Sequence, residues 1–337
     1  MFRDISALVL SPVLAFRSAT VKGRLPAGSD ACPLSSRDVL GATGPAPVPL
    51  LYAPDPGVIR AALVAAKVLR AVVGLTAPPG APPDRWFAEV ARAADELAAG
   101  LPLVLAAEVV VGGEGGPLVE RATAAVWRLL DAGITHLAFE VDAVAPEERG
   151  RVLAELAAPA LERGVGVECV LPLSGDAASA RRAVALVAEL ASRDAPLDAA
   201  GVRCAAPRDA EGARAQVGVL TRVAQALGRV PIIRRGPVTP ALFGALAGAP
   251  VSGCDDAGAV ADAAGDVHER TGDARDREAW RARWQARAEA ELGAPALERL
   301  EARAFVTAGE LIESLGAAQS AVTLVRTLER RLAEDRA

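Results

Sequence analysis

The sequence predicts an α/β fold, a parallel (β/α)8 TIM barrel with a C-terminal helical extension, and three observations carry that prediction. Eight short apolar runs are separated by seven longer segments of helical apolar spacing, in units of roughly 25–35 residues. The chain is 52% hydrophobic but only 3% aromatic, so its 337 residues can fill one large core with Ala, Val and Leu. No GxGxxG follows the first apolar run, which disfavours an open, doubly wound nucleotide-binding sheet.

Residues 1–33 resist assignment: an apolar segment is followed by KGRLPAGSDACP, which reads as loop. SSRDVL then reads as a short capped helix, with Ser35 or Ser36 as N-cap. The barrel is expected over residues 34–265. Its strand-like runs are Val48–Ala53, Ala71–Ala77, Leu101–Glu108, Thr135–Asp142, Gly166–Leu173, Ala199–Ala206, Val230–Arg235 and Pro250–Asp255. Helical spacing fills Pro56–Arg70, Pro83–Ala99, Pro117–Asp131, Pro146–Arg163, Asp176–Arg193, Asp209–Leu227 and Pro240–Ala247. Several of these open with Pro or Asp, as helix starts do. The glycines of GGEGG, after the third strand, lack phosphate-loop spacing and read as a plain loop. Residues 266–337 begin with a charged stretch and continue as amphipathic helices, with Leu315, Val322, Val325, Leu328 and Leu332 at helical spacing. Such a face either packs on the barrel or joins subunits, so a homo-oligomer or a subunit of a larger complex is expected.

Charge and composition exclude several classes. A net charge of -5 gives no electrostatic reason to expect a nucleic acid or an anionic membrane as partner. No uncharged apolar run reaches the roughly 18 residues of a membrane span. Asp4 spoils the positive start of a signal peptide ahead of the apolar run Ile5–Phe16, so a cytoplasmic location is expected. Cys32, Cys169, Cys204 and Cys254 are widely spaced, with no CxxC, as reduced thiols packed like small hydrophobes would be. Neither of the two histidines, His136 and His268, has a second His or a Cys at ligand spacing, so a histidine-based metal site is not expected. A nucleophilic serine elbow is missing, and Lys22 and Lys67, the two lysines, do not lie at strand ends where a Schiff base would need one.

Polar residues nevertheless concentrate at the strands. In THLAFEVD, His136, Ala138, Glu140 and Asp142 share one parity, while Leu137, Phe139 and Val141 share the other. The apolar set belongs against the helices, so the polar set faces the barrel interior. By the same reasoning Glu108, Glu168, Arg203 and Arg234 are assigned to the interior or the upper rim. Such charges cannot sit unpaired in a dry barrel. They form either an anion-binding pocket at the C-terminal mouth or an internal ion network that merely fills the barrel.

Leu34–Asp256 resembles the class II, zinc-dependent ketose-bisphosphate aldolases of the fructose- and tagatose-bisphosphate group. The resemblance rests on LSSRDVL with VPLLYAPDPGVIRAALVAA, on RGVGVECVLPLSGD, and on VPIIRRGPVTPALFGALAGAPVSGCDDA, in family order and spacing. It implies the barrel fold and places Glu108 at the family's catalytic acid. It also places Val109, Arg208 and Arg235 where the family has three zinc histidines. Gly236 is kept in the phosphate loop, but Pro237 removes a backbone donor from it. Ser252, Asp255 and Asp256 fall in the segment that helps hold substrate.

Valine cannot bind zinc and arginine repels it, so no metal or other cofactor is expected, although Glu108, Glu140 and Asp142 offer the oxygen ligands magnesium would need. The first functional expectation is therefore a pseudoenzyme. It would bind a small phosphorylated or carboxylated ligand through Arg203, Arg208, Arg234 and Arg235, or act as an interaction subunit. The second is a lyase or isomerase acting on a phosphorylated sugar, with Glu108 or Glu140 as general base and Asp142 beside them. The third is a structural or regulatory subunit that uses its C-terminal helices.

Overall fold

The computed structural model describes residues 11–111, 118–171, 177–246, 249–256, 259–261, 263 and 294–335. Eight parallel strands form the barrel: β1 (Val48–Tyr52), β2 (Val73–Thr76), β3 (Pro102–Val110), β4 (His136–Glu140), β5 (Gly166–Leu171), β6 (Ala199–Arg203), β7 (Ile232–Arg235) and β8 (Gly253–Asp255). Each pairs with its sequence neighbours, and β8 returns to β1 through Val48↔Gly253 and Leu50↔Asp255, which closes the sheet. Closure leaves no barrel edge and turns every second side chain inward.

Helices α1 (Pro56–Leu69), α2 (Pro83–Leu97), α3 (Leu118–Ala132), α4 (Arg149–Glu162), α5 (Ala177–Ser192), α6 (Ala210–Leu227) and α7 (Pro240–Leu246) follow the first seven strands. The local chemistry sets their starts. Asp55 caps α1 by accepting from Val58 N at 3.0 Å, with Pro56 in the first turn, and Asp209 caps α6 by accepting from Gly212 N at 2.8 Å. Their apolar faces bury Ala, Val and Leu against the strands in one continuous core.

Two further helices, α8 (Ala294–Ser314) and α9 (Ser320–Glu334), complete the described chain. Helix α8 packs along α1 through a buried stripe of Leu300, Ala304, Ala308, Leu311 and Ile312. The junction to α9 is stitched to the end of α1: Gln319 N donates to Leu69 O, and Val72 N donates to Ser320 Oγ, both at 2.9 Å. The inward stripe of α9 is Ala321, Leu324 and Leu328, with Val325 packed against it. The charged stretch at 266–287, with His268, lies outside the described residues, as does the GGEGG loop.

The described part of the N-terminal segment, residues 11–33, carries more regular structure than its sequence suggests. Part of the expected loop is helical over Ala19–Arg24, and Cys32–Pro33 adds a short strand beside the start of β3. It leads into the turn Ser36–Val39, which sits under the N-terminal end of the barrel, with Ser36 N donating to Thr135 O. Ser35 is the N-cap here, accepting from Arg37 N, and this leaves the Ser36 hydroxyl free to turn into the barrel. Among the described residues, no helix is long and apolar enough to cross a membrane.

Candidate functional site

Strand parity decides which polar side chains meet. On β7, Arg235 turns into the barrel and is 4% exposed. Its Nε and Nη2 donate to the two carboxylate oxygens of Glu168 at 2.5 and 2.8 Å, the forked arrangement that suits a guanidinium and a carboxylate. Its Nη1 donates to Glu108 Oε1 at 2.6 Å and lies 3.7 Å from Asp255 Oδ2. Burying a charge is costly unless it is paired, and here one cation is shared by three carboxylates from β3, β5 and β8. Burial alone would raise the Glu168 carboxyl, but the charge and hydrogen bonds of Arg235, helped by His136, hold it down at about 2. Burial works against the Arg235 cation too, and the facing carboxylates override it and raise its pKa.

Below Glu168 the chain of polar groups continues downward. His136 Nε2 lies 2.7 Å from Glu168 Oε2, and His136 Nδ1 lies 2.7 Å from Ser36 Oγ. Two glycines make room for this chain. A Cβ at Gly166 would collide with Ser36 Oγ, and one at Gly201 would stand 2.0 Å from Glu168 Oε1. His136 is thus a fully partnered interior histidine.

Above Arg235 the barrel opens into a cleft of about 450 Å3, lined among others by Glu108, Arg203, Cys204, Arg235, Gly236 and Asp255. Arg203 forks onto Glu140 with bonds of 2.9 and 2.6 Å, and its Nη1 lies 3.8 Å from Asp142 Oδ2. The hydrogen bonds from Arg203, working against partial burial, hold Glu140 below the usual carboxylate range. The pair joins β4 to β6 over the top of β5, and the Arg203 side chain keeps 49% of its surface exposed. Gly236 forms the lip. Its φ of 127° suits glycine, and a Cβ there would stand 2.0 Å from Cys204 O.

The cleft gathers Glu108, Arg203, Arg235, Gly236 and Asp255, with Glu140 and Asp142 beside Arg203. The other expected residues are elsewhere. Arg234 has the opposite parity from Arg235. It is fully buried and donates to Gln216 Oε1 on α6 and to the carbonyls of Gly236 and Pro237, so it braces the β7 loop from the helix side. Arg208 is exposed just ahead of the α6 cap and does not line the cleft. Ser252 stands at the opposite, N-terminal end of β8, where its carbonyl accepts from Val48 N at the start of β1. Asp256 is 1% exposed and accepts from Tyr52 N and Val260 N, tying β1 to the turn after β8. Val109 lies in the apolar core.

Sequence reasoning assigned no site role to Ser36, and nothing in its local sequence distinguishes an N-cap from a buried partner of His136. A zinc ion of the kind the resemblance implies does not fit these side chains. His136 already engages Ser36 and Glu168 through its two ring nitrogens, and Arg235 puts a permanent cation among Glu108, Glu168 and Asp255. Among the described residues no group of three or more His, Cys, Asp or Glu could hold a metal ion.

No family model and no curated protein matches the chain. Solved structures do. The YdjI aldolase from Escherichia coli K12 matches at a TM-score of 0.59 and 14% identity, over 83% of this chain and 95% of that one. A candidate fructose-1,6-biphosphate aldolase from Coccidioides immitis matches at 0.58 and 16%, over 83% and 94%. Likeness at such identity concerns the fold. The chain is a closed (β/α)8 barrel of the kind these aldolases use.

Proposed function

We propose that this chain is an aldolase-like barrel without zinc-dependent aldol chemistry, which holds a small phosphorylated or carboxylated molecule at its mouth. The observation that carries the first half is Arg235. Zinc aldol cleavage needs a Lewis acid beside the substrate carbonyl, and the corresponding region here is filled by a guanidinium bonded to Glu168 and Glu108. An arginine offers no lone pair to a metal and carries a charge that repels one.

The second half rests on the cleft and on Arg203. Of the expected anion ligands, Arg203 combines a place in the cleft with a half-exposed guanidinium. A phosphate or carboxylate would dock there by exchanging with Glu140, since a bidentate guanidinium site accepts either oxyanion. Arg235 is too deeply enclosed to be the first contact and serves as the floor.

A second reading is favoured by one observation. The guanidiniums of Arg203, Arg234 and Arg235 are all already engaged by carboxylates or carbonyls of the chain itself. On that reading the network only fills the barrel, and the protein acts as a structural or regulatory subunit. An acid–base lyase or isomerase is less well supported, because the Arg203 bond that lowers the Glu140 pKa also makes that group a weaker base.

The test combines metal analysis of the purified full chain, turnover of ketose bisphosphates, and thermal shift with inorganic phosphate and sugar phosphates. Substoichiometric zinc, no cleavage and a shift that Arg203→Ala abolishes support the proposal. Stoichiometric zinc with cleavage overturns it, and no shift with any anion favours the structural reading.

A further inference from the structure

The mouth carries more negative charge than its own cations balance. Among the described residues, Glu108, Glu140, Asp142, Glu168 and Asp255 face two guanidiniums, those of Arg203 and Arg235. Arg149 and Arg234 stand nearby but donate mainly to carbonyls, and counting them still leaves carboxylates in excess. Like charges repel more strongly in a partly enclosed cleft than in water, so the excess favours a cationic guest.

The ends of β3 and β4 show where that cation belongs. Glu108 lines the cleft with 39% of its side chain exposed and gives only Oε1 to Arg235, while Oε2 makes no hydrogen bond among the described residues. Asp142 Oδ1 is buried without a hydrogen-bond partner, beside the Arg203–Glu140 fork. A buried acceptor of that kind calls for a donor. Val110 lies two residues after Glu108 on the same face of β3, is paired in register with Glu140, and leaves 60% of its surface exposed. An exposed apolar side chain between carboxylates suits methylene groups that carry a positive charge. A compact metal ion is a poorer match, because Arg235 already stands among Glu108, Glu168 and Asp255 and no three-residue ligand group forms among the described residues. A primary ammonium group brings three donors and needs only the outward oxygens.

The exchange at Arg203 gives the same answer. An oxyanion that draws Arg203 away from Glu140 leaves that carboxylate uncompensated, with Asp142 close by. A plain anion therefore adds charge to a mouth already too negative, whereas a ligand with its own cation hands Glu140 a new partner. Resting on the oxyanion reading given above, we propose that the ligand is a small zwitterion, an amine joined to a phosphate or carboxylate. Its oxyanion pairs with Arg203, and its ammonium group is received by Glu140 and Glu108 over the side chain of Val110.

Calorimetric titration of the full chain at pH 7 and fixed ionic strength tests this with 2-aminoethyl phosphate and 2-hydroxyethyl phosphate, and with their three-carbon homologues. The two members of each pair differ only in an ammonium or a hydroxyl. At the better spacer length the amino probe should bind about tenfold more tightly, the scale of one charge-assisted hydrogen bond. Glu140→Gln and Glu108→Gln should each shrink that preference, and Arg203→Ala should weaken both probes. Equal affinities in the wild type, or tighter binding of the hydroxyl probe, overturn the zwitterion and leave the oxyanion reading standing. A preference that survives intact in both glutamine variants overturns the assignment to Glu140 and Glu108. Failure of every probe to bind overturns the zwitterion and the oxyanion reading together.

Discussion

Arg235 on β7 and Glu108 on β3 meet at 2.6 Å, although their strands stand on opposite sides of an eight-stranded barrel. The bridge therefore spans the barrel rather than joining neighbours, and Glu168 on β5 supports it from below. Removing the cation should be far costlier than removing a surface charge. Arg235→Ala leaves Glu168 fully buried and ionised with no guanidinium, and should lose about 3–5 kcal/mol of folding stability. Arg235→Lys keeps the charge but not the fork, and should recover only part of the loss. Urea denaturation of the full chain would check both, and equal stabilities for all three proteins would show that the bridge is idle.

The same network predicts a pH dependence. Glu168 has an ordinary value of 4.5 and is held at about 2 in the fold. A depressed carboxyl contributes stability that is complete above the unfolded value and is lost as pH falls toward the folded one. The chain should therefore weaken between about pH 5 and pH 2, by roughly 3 kcal/mol from this group alone. Glu140 adds a loss of the same sign. Unfolding free energies measured from pH 7 downward would show the slope, and a flat profile to pH 3 would contradict the buried ionised state.

Much of this was legible in the sequence, and the parts that were not share a cause. The strand–helix beat fixes eight strands, and alternation within THLAFEVD puts His136 and Glu140 inside and Phe139 outside, as the structure has them. Arg234 and Arg235 show where local reading stops. They are chemically identical neighbours, and only the true end of β7 tells which one enters the barrel. Ser252 was assigned to a strand end with its substrate-side neighbours, but β8 begins after it, and the three residues of β-rise from Ser252 to Asp255 separate the floor from the mouth. Ser36 and the niches at Gly166 and Gly201 are matters of long-range fit, which neither spacing nor composition encodes.

Gly201 should be among the least replaceable small residues of the interior. A methyl there would press on the Glu168 oxygen that receives Arg235 Nε, and neither partner can retreat without breaking the fork. Gly201→Ala should cost about 1–3 kcal/mol through overpacking, and more if the ion pair opens. Gly164→Ala is a useful contrast. It lies in a turn with open space around it, so its cost comes from its positive φ alone. Thermal melts of the two variants at pH 7 should rank Gly201→Ala as the lower.

Arg203 separates folding from function at the mouth. Its side chain is half exposed, and ion pairs in that setting contribute little, so Arg203→Ala should change stability by under about 1 kcal/mol. The proposed oxyanion contact would nonetheless be gone, and phosphate or sugar phosphate should no longer raise the melting temperature. Glu140→Gln makes the opposite prediction. It leaves Arg203 in place and weakens the carboxylate with which an incoming oxyanion competes, so the same ligands should stabilise that variant more than the wild type. If the two variants respond to phosphate alike, Arg203 is held by Glu140 for the barrel's own sake and the mouth does not bind anions there.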